Sequence, residues 1–363
     1  MAPNGPQINY ARQVFRHADA AQGADIPALL FRNERLHDAG RTLTLGWPEL
    51  QREVASLAVA LRGMGVQPLD RVAAYLPNAP QTVAAFLACA SLGAVWSVCS
   101  PDLDAQAVLD RFGQIAPKVL IACDGTTRGG RDHDRLPTVH ALLAGLPSVT
   151  HLVLWPCLDR DAEVDEFLHS GRHAYDLRPL LAGDPDFTPL ALPSDHPLWI
   201  AYANDTGGLP TPSVQDHGSA VQAAVQHNAQ QRLGATTDTG DRLHWSCTPG
   251  GALWMRQVGG LLGGTTLCLF DGHPSGSSET PDGARLWQFV AETGVTCLGA
   301  DAAFYADVVQ VDTDLPHVAD LSALRTLVST GPRLASACVE WLQTHLPQID
   351  GQPVAITQDA GTV

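Results

Sequence analysis

The sequence predicts a two-lobed α/β protein with mostly parallel sheets covered by helices, on three observations. Strand-like and helix-like segments alternate through both halves of the chain. The strand-like segments are continuously apolar, as strands buried on both faces require. A proline-rich stretch, Asp184–Asp195 ("DPDFTPLALPSD"), breaks the alternation near the middle and reads as a link between lobes. The 363 residues leave room for two such lobes, assigned to residues 1–190 and 191–363.

In chain order, "TLTL" (42–45) is a short strand, and Pro48 opens a helix at its first turn. Leu50, Val54, Leu57, Leu61 and Met64 recur at helical spacing, and Gly63 and Gly65 supply the stop. "RVAAYL" (71–76), "AVWSVC" (94–99) and "VLIAC" (119–123) are strands, the last following the helix "AQAVLDRFGQIA" (105–116). The uncharged run Val83–Ser100 has the length of a membrane span. Its small and polar residues, Gly93 and the preceding "PNAP" make it a buried helix turning into a buried strand. Arg160–His173 is charged and weakly periodic, a surface excursion. The second half brings strands "PLWIAY", "RLHWSC", "TTLCLF", "TCLGA" and "LRTLVST", with helices near Ser219–Gln231, Ala303 and Ala335–His345. A flexible loop is expected over Gly272–Gly283.

Hydrophobic residues make up 45% of the chain and charged residues 17%, ample material for a core. A net charge of −16 argues against nucleic acid or an anionic membrane as partner. The eight cysteines form no C-x-x-C pair and sit in apolar stretches, as small core residues do in a reducing compartment. The polar start is unlike a signal peptide, so a cytoplasmic location is expected. Lys118 is the only lysine, so any chemistry needing one must use it. Neither a G-x-S-x-G elbow nor a third ligand for His217 and His227 is found, so no metal site is assigned.

Tyr202–Gly218, "YANDTGGLPTPSVQDHG", follows an apolar strand and has the small-residue texture of a phosphate-gripping loop. It holds no lysine, and Asp205 puts a negative charge where an anion cradle wants none. Asp205 and His217 could form an acid/base pair; a surface histidine beside an unrelated aspartate is the plainer reading.

Asp70–Trp96, "DRVAAYLPNAPQTVAAFLACASLGAVW", resembles the first lobe of acyl-CoA synthetases of the adenylate-forming superfamily. Ser97–Lys118, "SVCSPDLDAQAVLDRFGQIAPK", is similar to the acetoacetyl-CoA synthetase branch, and the likeness runs from about Ile8 to the last residue. The resemblance implies the large N-terminal domain of that fold, with ATP, magnesium and coenzyme A as the family's cofactors. It also implies that the chain stops before the family's mobile C-terminal domain.

The family's phosphate loop reads approximately Y-S-S-G-T-T-G-L-P-K. Against it, Tyr202, Thr206, Gly208, Leu209 and Pro210 match. Ala203 and Asn204 replace small hydroxyl residues, Asp205 a glycine, Gly207 a threonine and Thr211 the lysine. A hydrogen bond to a charged group is worth about 1.5–3 kcal/mol, so these losses with an added carboxylate predict a failed grip on ATP. Gly331 and Pro332 resemble the turn bordering the adenine pocket. Thr362 matches a phosphate-touching threonine, whereas Val363 stands where the family has an acidic metal ligand. In the run "TPGGALWMR" (248–256), aligned with the acyl-pocket segment T-T-G-W-M-M-W-N-W, Trp254 is kept while Gly251 and Arg256 each replace a tryptophan. An inward Arg256 would pair with a carboxylate or phosphate; an outward one would be solvated. Asp301 falls on the substrate side of the family pocket.

Two functions follow from the resemblance. One is a relative that has lost ATP-dependent activation and binds an acyl or acyl-CoA ligand, with self-association or a protein partner left open. The other is an acyl-CoA ligase large subunit completed by a separate C-terminal domain.

Overall fold

The computed structural model describes residues 7–162, 164–165, 167, 172–203, 208–234, 240–276, 283–311, 313–349 and 351–359. Two seven-stranded sheets organise the chain. The first runs His173–Asp176, His151–Trp155, Val119–Cys123, Arg71–Tyr75, Val95–Cys99, Pro197–Ala203 and Thr211–Asp216. Its neighbours pair in parallel except the last two, which form an antiparallel hairpin. The second runs Ala355–Asp359, Thr326–Thr330, Cys297–Asp301, Arg242–Trp245, Thr266–Asp271, Pro27–Asn33 and Leu43–Gly46. It too is parallel up to one antiparallel edge.

These sheets exchange strands across residue 190. Pro27–Asn33 and Leu43–Gly46 sit in the second sheet, and Pro197–Ala203 and Thr211–Asp216 sit in the first. The apolar run that matched a membrane span is the helix Pro80–Leu92 followed by the strand Val95–Cys99, both buried almost throughout. A helix apolar on all sides belongs between layers. Phe86 on it lies 5.4 Å from Trp199 and 5.8 Å from Trp254, so one core spans both halves of the sequence. Among the described residues no helix is long and apolar enough to cross a membrane.

The helix begun by Pro48 runs Trp47–Gly63, with Glu49 reaching back to the Gly46 N–H. Lys118 is spent on structure: its ammonium donates to the Gly65 carbonyl and to Asp70, the latter at 3.0 Å. The expected Gly272–Gly283 loop lies partly outside the described residues, at 277–282. Several elements go unread in the sequence, among them the strands Pro27–Asn33 and His151–Trp155, the helix Leu136–Gly145, the hairpin Gly125–Asp134 and the edge strand Thr211–Asp216.

Candidate functional site

Parallel α/β sheets present ligands at the carboxyl ends of their strands, and here the ends of both sheets meet around a cavity of about 560 Å³. From the first sheet come Pro77 and Asn78, after Arg71–Tyr75, and Ser100 to Asp102, after Val95–Cys99. The second supplies His244 and Ser246, Phe270 and Asp271, Asp301, and Thr330 with Gly331. The hairpin Gly125–Asp134 adds Thr126, Thr127 and Arg128. A second cavity, of about 800 Å³, opens between the Pro197–Asp216 hairpin and the helices His217–Gln230 and Ala252–Gly259. Gly251, Ala252 and Arg256 line both.

A buried amide network fixes the wall between them. Trp254 Nε1 donates to Asn78 Oδ1 at 3.2 Å, and Gln257 Nε2 donates to the same oxygen at 3.0 Å. The Trp245 N–H donates to Gln257 Oε1 at 3.1 Å. The backbone beside it is equally constrained. Gly250 has φ of +99°, and a Cβ built there would lie 2.3 Å from the Val98 carbonyl oxygen, so only glycine lets the two sheets approach.

The sequence-predicted residues scatter. Gly251, Arg256, Asp301 and Gly331 come together on the 560 Å³ cavity. Trp254 is absent from both linings. It is buried, packs on Phe86 and holds Asn78, which makes it a core residue. Pro332 lines a smaller surface depression with Asp301. Asp301 also caps the helix Ala302–Gln310, accepting the Phe304 N–H at 2.7 Å. Gly208 and Thr211 are exposed beside the hairpin, Thr211 opening its second strand. Asn204, Asp205, Thr206, Gly207 and Thr362 lie outside the described residues.

His217 is not a surface residue. It is wholly buried, its Nδ1 accepts the Tyr10 N–H at 3.0 Å, and burial pushes its pKa down to about 4. It also stands at the far end of the hairpin: Asp216 pairs with Pro197, whereas Thr211 pairs with Ala203, the last described residue before Asp205.

The electrostatics were also only partly legible. Arg256 turns inward, as one reading had it, but its guanidinium already holds the Asp359 carboxylate, and both side chains are mostly buried. Arg128 faces Asp102 at 3.5 Å. Burial pushes the Asp271 carboxyl up to about 7, against the pull of Arg128. Among the described lining residues of the 560 Å³ cavity, then, the two cations are each matched to an aspartate, and Asp271 and Asp301 add further acid. Neither of these two described lining cations is therefore left over to meet a triphosphate. Among the described residues no group of three or more His, Cys, Asp or Glu is gathered to hold a metal ion.

Two mostly parallel sheets close their strand ends on a shared cleft, with a glycine turn at residues 330–332 on its rim, an α/β ligand-binding architecture. The chain belongs to the AMP-binding enzyme family, whose profile matches residues 15–356. It is similar to the acetoacetyl-coenzyme A synthetase of Rhizobium meliloti, with 36% identity over 331 residues, covering 91% of this chain and 48% of that protein. The acetoacetyl-CoA synthetase of Xenopus tropicalis is 31% identical over 355 residues, covering 94% of this chain and 49% of that protein. The solved structure of acetoacetyl-CoA synthetase from Streptomyces lividans matches with a TM-score of 0.87 at 36% identity, over 98% of this chain and 52% of that one. The chain spans about half the length of the curated relatives it matches.

Proposed function

We propose that this chain holds an acyl group or acyl thioester in the adenylate-forming cleft and does not by itself activate a carboxylate with ATP. The observation that carries this reading is the neutralised wall: Arg256 and Arg128 each face an aspartate. An incoming carboxylate or phosphate would have to displace a carboxylate already in place, and Asp301 would repel it further. The sequence of the phosphate loop supports the same conclusion, with Asp205 and Thr211 where the resemblance calls for glycine and lysine. Calorimetry of the chain with Mg-ATP, and separately with acyl-coenzyme A thioesters, tests it. Thioester binding without ATP binding is the expected result, and micromolar ATP affinity overturns it.

A second reading is favoured by the close match in fold, a TM-score of 0.87 over 98% of the chain. In it the chain is the large part of a working ligase whose remaining part is supplied separately. Acyl-adenylate formation, read as pyrophosphate exchange on adding a C-terminal domain from a relative, would establish that reading against the first.

A further inference from the structure

Asp271 is an acid on the cavity wall without a partner of its own. It ends the strand Thr266–Asp271, lines the 560 Å³ cavity and keeps part of its surface exposed. Neither of its carboxyl oxygens is among the sealed polar atoms that lack a partner. Among the described residues its carboxyl group makes no hydrogen bond or ion pair. The acids around it are already engaged. Glu34 accepts the N–H groups of Gly129 at 2.8 Å, Gly130 at 2.7 Å and His273 at 2.7 Å, and Asp102 faces Arg128. The bond from His273 also pins the backbone just after Asp271, where a Cβ at Gly272 would meet the Glu34 side chain at 2.5 Å. The residues outside the described ones add no lysine or arginine, and of the chain's lysine and arginines only Arg128 and Arg256 line the cavity.

We infer that Asp271 seats a positive charge carried by the ligand, so that the cleft takes a short aminoacyl thioester whose ammonium group pairs with this carboxylate. This rests on the acyl-binding reading of the same cavity. The surroundings select among ligand types. Phe270 and Leu286, on the same lining, suit the methylenes that lead to such a group. An ammonium brings the charge that the wall lacks together with three donors for the carboxylate oxygens. A hydroxyl brings a donor without the charge, and a methyl brings neither. Asp301, on the same lining, adds to the attraction for a cation. Burial, helped by Asp102 and Glu34, pushes the Asp271 carboxyl up to about 7 against the pull of Arg128. Without a ligand it therefore holds a proton through much of the neutral range, and an ammonium beside it draws that proton off.

The test is calorimetric titration of the full chain with β-alanyl-, 3-hydroxypropionyl- and propionyl-coenzyme A, which carry an ammonium, a hydroxyl and a hydrogen on the third carbon. The ammonium thioester should bind about tenfold more tightly than the other two, as a charge-assisted hydrogen bond allows. At pH 6, titrations in two buffers of different ionisation enthalpy should show about one proton released with the ammonium thioester and none with the others. Asp271→Asn, checked for folding by its thermal melt, should bring the three affinities together and abolish the proton release. If that variant fails to fold, the wild-type ranking and proton count still decide. Equal affinities, tighter binding of either neutral thioester, or a preference that survives Asp271→Asn overturn this inference and leave the proposed function standing. Failure of all three to bind overturns both.

Discussion

Arg256 and Asp359 stand 103 residues apart in the chain and meet as a mostly buried ion pair. Burying such charges is tolerable only while they stay matched. Asp359→Ala should therefore lower stability by about 2 kcal/mol, measured by urea denaturation, because it leaves the Arg256 guanidinium without that carboxylate. The isosteric Asp359→Asn should also raise affinity for inorganic pyrophosphate about tenfold in calorimetry, since the cavity wall then carries an unmatched cation. Sequence reasoning reached the fork at Arg256, inward or solvated. It stopped there because the deciding partner is distant along the chain and carries no motif. His217 failed for the same reason. Its polar neighbours suggest a surface, but packing against Tyr10, 207 residues upstream, buries it.

At the scale of elements, burial helped legibility without sufficing for it: Pro27–Asn33 and His151–Trp155 are largely buried and were not read. The helix Pro80–Leu92 and strand Val95–Cys99 were readable because their residues are apolar on every side. Thr211–Asp216 was not. It is a largely exposed edge strand containing Pro212, so neither alternation nor apolarity announces it, and a proline is tolerated only at such an edge. The turn at Gly250 had a visible signal in the "PGG" run of 249–251, but its demand comes from the other sheet. Gly250→Ala should push a methyl into the Val98 carbonyl and strain a backbone at φ of +99°. A loss of at least about 3 kcal/mol is expected, seen as a lower melting temperature. The variant should also lose thioester binding, because the turn sits between the two cavities.

For the whole molecule, the buried histidines set the response to acid. Burial pushes His217, His227 and His244 each down to about 4 from an ordinary 6.5. Between those values the unfolded chain takes up protons that the folded one refuses. Their contribution is complete above pH 6.5 and is lost as pH falls towards 4. Glu53 and Asp271, raised by burial to about 7, act in the opposite sense and destabilise the fold as pH rises from about 4 to 7. The balance is hard to read in the wild type, so the difference between variants is the useful quantity. On going from pH 7.5 to 5, His244→Phe should lose about 2 kcal/mol less stability than the wild type in paired urea titrations.

The strand Pro27–Asn33 carries a consequence for how the chain is made. Five of its seven residues are buried, and Leu29 takes its place opposite Leu267. During synthesis this greasy segment leaves the ribosome long before that neighbour exists. Until residues 266–271 emerge it has an unclaimed edge, open to pairing with another nascent chain. Expression of this protein should therefore depend on holdase chaperones more than its finished fold would suggest.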